Sequence, residues 1–147
     1  MARYLGSVQS PVSPEQAFDY LADFSSVAEW DPSAVRARML ADAPGPDTEF
    51  EVVVRFAGRE LPLRYHTIAY ERPHRLVLRA ETSTVVSEDT ITVRPTADGG
   101  SLLTYEAELR PKGAMRLADR VIGLLFRRLG DNAAAGLRAQ LGSTIPK

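Results

Sequence analysis

The chain carries 147 residues, with 18 basic and 19 acidic side chains, a formal net charge of -1 and no cysteine. That length fits one domain over residues 1–147, able to bury about two-thirds of its unfolded surface, and the missing cysteines exclude disulfides, thiolate metal ligands and a cysteine nucleophile. The balanced charge argues against a nucleic-acid partner; no apolar run approaches the roughly 20 residues of a membrane span, and residues 1–6 lack a signal peptide's apolar core, so a cytoplasmic protein without stable membrane insertion is expected.

Residues 4–9 read as a first strand. Ser13-Pro14-Glu15-Gln16 then starts a helix: Ser13 is the N-cap, Pro14 takes the first helical position, where a missing N–H costs nothing, and Gln16 can close a capping box. Ala17, Phe18, Leu21 and Ala22 share one face of this helix. Ser26 and Glu29 have the spacing of a second capping box, and Asp31-Pro32 stops a second short helix after Trp30.

Beyond residue 34 the hydrophobic period changes from helical to two. Residues 35–40 form a weak strand and 42–47 a loop rich in Pro, Gly and Asp. Phe50, Val52, Val54 and Phe56 alternate with Glu51, Val53 and Arg55. After a hairpin turn at Ala57-Gly58, Leu61, Leu63, Tyr65 and Thr67 alternate with Pro62, Arg64 and His66. Three more β-rich runs follow, over 75–81, 82–94 and 102–110. Short turns throughout predict an antiparallel meander with one buried face. Residues 114–141 read as one long helix with Ala118, Ile122, Leu125, Leu129, Ala133 and Leu137 on its apolar stripe; Gly123, Gly130 and Gly136 are places for a bend. To bury both amphipathic partners, the sheet must curl its apolar face around this helix, and the imperfect fit leaves a cavity or large side chains to fill it.

The run from Ser13 through Gln16 to Phe24, followed by Trp30-Asp31-Pro32, resembles the opening of the START-like (helix-grip, SRPBCC) superfamily, as do Tyr70-Glu71-Arg72-Pro73-His74 and Gly99-Gly100-Ser101-Leu102-Leu103 further on. The branch it resembles is the bacterial polyketide cyclase/dehydrase and lipid-transport group. Sixteen of the 18 basic residues are Arg, in keeping with a GC-rich genome. The resemblance implies an α+β fold. About seven antiparallel strands would wrap a long C-terminal helix, with two short helices after the first strand. It also implies a small hydrophobic ligand, whether polyketide-, aromatic- or lipid-like, held between sheet and helix. A fold alone does not choose an activity. Three functions therefore stand side by side: a binding protein, a cofactor-independent cyclase/aromatase or dehydratase, and a lipid carrier or interaction module with a filled pocket. Aromatase/cyclase relatives carry a pocket Arg near the strand position of Thr67, whereas the nearest Arg here, Arg64, has the wrong parity.

Inward polar groups are the most informative residues, because buried polar groups need partners. Asp89 shares a strand face with Val85, Ser87, Ile91 and Val93. It either points inward, as a general acid/base or ligand anchor, or a bulge reverses the register and leaves it in solvent. Tyr65 and Tyr105 lie on apolar strand faces as hydrogen-bond donors or packing rings. These three are the catalytic candidates. Candidate ligand contacts are Trp30 near the cavity mouth, as rim or plug, and Phe50, Val52, Val54, Leu63, Thr67 and Leu78 on the middle strands. Ser87, Ile91 and Leu103 follow, with Ile122, Leu125 and Leu129 on the long helix. His66 and His74 read as surface residues, so neither a metal nor another cofactor is expected. Leu124-Leu125-Phe126-Arg127-Arg128 reads as core packing rather than a membrane-surface helix, with Phe126 off the stripe as a dimer contact. A monomer or weak homodimer is the expected state.

Overall fold

The computed structural model describes residues 2–56, 58–113, 117 and 119–142. Strand β1 (Ala2–Ser10) leads into helix α1 (Pro14–Ala22), a 3₁₀ turn (Phe24–Ser26) and the short helix α2 (Val27–Trp30). Six strands follow: β2 (Ala34–Met39), β3 (Glu49–Phe56), β4 (Arg59–Glu71), β5 (Arg75–Glu81), β6 (Val85–Pro95) and β7 (Ser101–Pro111). Helix α3 (Asp119–Leu137) closes in a π-helical turn (Arg138–Gly142). The strands form one antiparallel sheet of seven, in the order β1-β7-β6-β5-β4-β3-β2, so β2 to β7 make a meander and β1 joins its end through β7. The predicted helical start over 114–116 and Ala118 lies outside the described residues, as does the Ile122 side chain. Among the described residues no helix is long and apolar enough to cross a membrane.

The first capping box forms as its spacing predicts. Ser13 Oγ accepts the Gln16 N–H at 3.2 Å, and Gln16 Oε1 accepts the Ser13 N–H at 3.3 Å. The second does not form, because Ser26 already has helical backbone angles at the end of the 3₁₀ turn and makes no side-chain cap. Its hydroxyl instead accepts the Trp30 indole N–H at 3.4 Å, while Glu29 accepts the Tyr20 phenol at 2.6 Å. Asp23 caps this turn, accepting the Ser25 N–H at 3.1 Å.

The sheet bends where its ladders slip, between Ala34 and Arg36 and between Thr67 and Ala69. Strand β6 keeps continuous register with both neighbours, so the inward alternation of Ser87, Asp89, Ile91 and Val93 is unbroken. Bulges elsewhere curve the sheet; none turns Asp89 outward.

Helix α3 lies chiefly along β1, and its C-terminal half sits on α2. Ala133 and Leu137 are buried, whereas Leu125 and Leu129 are half-buried. Two glycines permit the approach. A Cβ on Gly136 would fall 1.7 Å from the Trp30 carbonyl oxygen, and one on Gly130 would fall 2.2 Å from the Tyr4 ring. Hydrogen bonds hold the same end: Ser10 Oγ donates to the Leu141 carbonyl at 3.0 Å, and Gln140 Nε2 donates to the Glu29 carbonyl at 3.3 Å.

The two helical glycines at 123 and 136 make a matched test of this packing. Gly136→Ala places a methyl against backbone that cannot rotate away, and should destabilise the protein by about 1–3 kcal/mol or more. A Cβ at Gly123 meets nothing within 4 Å, so Gly123→Ala should be neutral or stabilise by up to about 1 kcal/mol. Urea unfolding of both variants checks this; equal effects would mean that α3 does not press on α2.

Candidate active site and ligand cavity

The space under the curved sheet divides in two. Beside α1 and α2 it is packed with aromatic rings: Phe18, Phe24, Trp30 and Phe50 are each at most 1% exposed. Phe24 meets Trp30, Phe50 and Tyr65 edge-on, with ring centroids 6.3, 6.1 and 5.1 Å apart. Trp30 also meets Tyr105 edge-on at 5.5 Å. Towards the other end of the sheet the inner face carries small residues. Ala80 and Ser87 are register partners, as are Asp89 and Ala107. Here α3 stands off, and a cavity of about 560 Å³ opens.

Each wall of the cavity comes from a different element. Strands β3 and β4 supply Val54, Leu61, Leu63 and Tyr65; β6 supplies Val85, Ser87 and Asp89; and β7 supplies Tyr105, Ala107 and Leu109. Leu125, Phe126 and Leu129 of α3 form the roof, and Asp31 and Ser33 enter from the link after α2. Arg55, Arg59, Glu60 and Thr84 are exposed and mark the open side.

The polar groups are few and converge. Tyr65, Ala80 and Ser87 lie in one row across β4, β5 and β6. Because Ala80 is small, the Tyr65 phenol reaches over it to within 2.9 Å of Ser87 Oγ. Asp89 is 6% exposed. Burial first, then the negative charge of Asp31, raise its pKa to about 8, against the opposing effect of a hydrogen bond from Tyr105. Burial also raises the pKa of Asp31, although its carboxylate accepts the Ser33 N–H at 2.9 Å and the Ser33 hydroxyl at 2.8 Å. Burial and the nearby Asp89 charge hold both Tyr65 and Tyr105 well above the ordinary phenol value, so both remain donors. Near neutral pH the inner wall therefore presents a carboxylic acid, two phenols and the Ser87 hydroxyl.

Of the residues singled out in the sequence, Asp89, Tyr105, Tyr65, Val54, Leu63, Ser87, Leu125 and Leu129 line the cavity. Seven others do not. Trp30 is a plug rather than a rim, and Phe50, Val52, Thr67, Leu78, Ile91 and Leu103 belong to the packed half, where rings from α1 and α2 occupy the space a ligand would need. The Thr67 hydroxyl is buried there with no hydrogen-bond partner. Phe126 lines the cavity instead of facing outward. His66 contacts Asp47 at 3.0 Å, and His74 is exposed. Among the described residues no group of three or more His, Cys, Asp or Glu is placed to hold a metal ion.

Asp31 and Ser33 were missed. In the sequence, Asp31-Pro32 reads as a helix stop, and the Asp-x-Ser spacing of a local turn hides a carboxyl that also faces a cavity. The run of small inward residues, Ala80, Ser87 and Ala107, was the legible sign of where the cavity lies.

The fold is START-like, a helix grip. A START superfamily protein from Mycobacterium smegmatis is similar with a TM-score of 0.79 at 13% identity, over 99% of this chain and 100% of that one. The Zhui aromatase/cyclase from Streptomyces sp. R1128 is similar with a TM-score of 0.77 at 12% identity, over 98% of this chain and 95% of that one. A protein from Thermus thermophilus is similar with a TM-score of 0.77 at 13% identity, over 99% of each chain. A search of the curated proteins returned no match. Over residues 1–142 the chain matches the family described as polyketide cyclase / dehydrase and lipid transport, and it belongs to that family.

Folding favours the protonated form of Asp89, because its pKa is higher folded than unfolded. The resulting stability is fully present below the unfolded value near about 3.9 and is lost as pH rises through about 8. Asp89→Asn should flatten this fall and be the more stable protein at the alkaline end, with Asp31 supplying a residual slope. Urea unfolding across that range checks it; parallel pH profiles for the two proteins would place Asp89 in solvent.

Proposed function

We propose that the protein binds one small, largely apolar molecule in the cavity between the outer half of the sheet and α3. Its polar group would be anchored by Asp89, Tyr105 and Tyr65. The observation that carries this reading is the cavity itself, about 560 Å³ and open at one side, with a buried carboxyl on its inner wall. Small-molecule pockets run from roughly 300 to 1,000 Å³ and pair apolar walls with a few placed polar groups. Affinity would come from apolar ligand surface leaving water, about 25 cal/mol per Å² before the costs of association. The open cavity counts against a module whose pocket is filled by its own side chains. Membership of a family that includes cyclases, dehydrases and lipid carriers supports the ligand class without choosing among its activities.

A second reading, a cofactor-independent cyclase or dehydratase, is favoured by one observation: Asp89 can both hold and release a proton near neutral pH, beside the Tyr105 donor. On that reading the protein should catalyse α-proton exchange of an aromatic ketone such as tetralone in deuterated water, followed by NMR. Exchange no faster than in buffer, or unaffected by Asp89→Asn, would remove it.

Binding itself is tested with Nile red, a neutral apolar fluorophore, and a variant that fills the cavity floor. Wild-type protein should bind the dye with a blue-shifted emission and one-to-one stoichiometry. Ala107→Phe should weaken binding by about ten-fold or more, equivalent to about 1.4 kcal/mol. Folded Ala107→Phe that binds as well as wild type, or no binding by either, would contradict a ligand site here.

A further inference from the structure

Charge inside the cavity is one-sided. Asp31 and Asp89 both stand on its wall, and their mutual repulsion contributes to the raised pKa of Asp89. Among the described residues no Lys, Arg or His side chain offsets either carboxyl. Arg55 and Arg59 lie on the open side, where the Arg55 side chain is 62% exposed and paired with Glu60 at 3.4 Å. Among the described residues, the other groups on this wall and roof are neutral: Tyr65 from β4, Ser87 from β6, Tyr105 from β7, and Leu125, Phe126, Leu129 and Gly130 from α3. Glu88 alternates to the outer face of β6 and adds a minor repulsion.

We propose that the group anchored in this cavity is a protonated amine, carried on an apolar or aromatic skeleton and held between Asp89 and Asp31 with the Tyr65 and Tyr105 rings alongside. This rests on the reading of the cavity as a ligand site and names the ligand's chemistry. Three arguments support it. A ligand carboxylate, such as that of a fatty acid, would bring a further negative charge into a water-poor pocket that already holds two carboxyls and keeps one of them protonated, which is the costliest arrangement. A neutral carbonyl would accept from Asp89 and the phenols, yet would leave any charge on Asp31 uncompensated. An ammonium offsets both carboxyls at once. Its three N–H donors match carboxylate and Ser hydroxyl acceptors, and tyrosine rings add cation–π attraction. The cation displaces the proton that burial otherwise keeps on Asp89, so binding should release a proton to the buffer.

The test is calorimetry with three matched probes, naphthylethylamine, naphthylethanol and naphthylacetic acid, titrated into the full chain near neutral pH. The amine should bind at least about ten-fold more tightly than the alcohol, with the acid weakest. Its heat should differ between phosphate and Tris buffers, as proton release requires. In Asp89→Asn the preference for amine over alcohol should shrink to about two-fold or less, the amine losing more affinity than the alcohol; Asp31→Asn, a second variant, should narrow it as well. Alcohol binding that equals or exceeds amine binding would overturn the amine assignment and leave the ligand-site reading standing. A preference that survives both substitutions would overturn it too, by placing its source elsewhere. Failure of all three probes, together with failure of Nile red, would overturn both readings.

Discussion

The contact on which the rest of the architecture depends is the one between α3 and the end of α2, where Gly136 lies against the Trp30 carbonyl with no room for a Cβ. It fixes one half of the helix tightly against the aromatic plug formed by Phe18, Phe24, Trp30 and Phe50. The sheet curves away at its bulges, and the other half of the helix cannot follow it. Leu125 and Leu129 are therefore left half-buried over open space. A larger residue at position 136 would lift the helix and redistribute that space along its whole length. The cavity is thus the complement of a tight contact elsewhere and needs no looseness of packing around it.

Where the space opens, small inward residues keep it open and polar ones give it chemistry. Replacing Ala80 or Ala107 by a leucine-sized side chain would restore an ordinary core at the cost of the pocket. Burying Asp89 works against stability near neutral pH, since the unfolded chain prefers that carboxyl ionised. A protein tuned for stability alone would place an apolar residue there. Retaining a carboxyl, two phenols and a second carboxyl around one void is intelligible as a binding arrangement that a ligand completes.

Much of this was legible in the sequence, for identifiable reasons. Strict alternation along β3, β4 and β7, the Ser13–Gln16 box and the three- and four-residue spacing of α3 each reflect a local period, and a local period survives translation into structure. What stayed hidden depends on distances between elements. Alternation put Phe50 and Leu78 on the inner face correctly, but it carries no information about which half of that face the short helices cover. The direction of Asp89 turned on whether β6 contains a bulge, and bulges leave no dependable mark in a β-rich run. The Ser26–Glu29 spacing matched a capping box, yet the 3₁₀ turn before it had already consumed the cap position. Asp31 was concealed by its neighbour, since a residue before proline is explained well enough by the turn it makes.

Both the acid/base reading and the amine assignment rest on Asp89 being a buried, largely protonated carboxyl facing a cavity. The most direct check is its own titration, followed through the side-chain carboxyl carbon by NMR in ligand-free protein, with Asp89→Asn used to assign the resonance. The account predicts a midpoint near about 8, with the Tyr105 ring signals responding over the same range. A midpoint near the ordinary value of about 3.9, with no response from Tyr105, would contradict it.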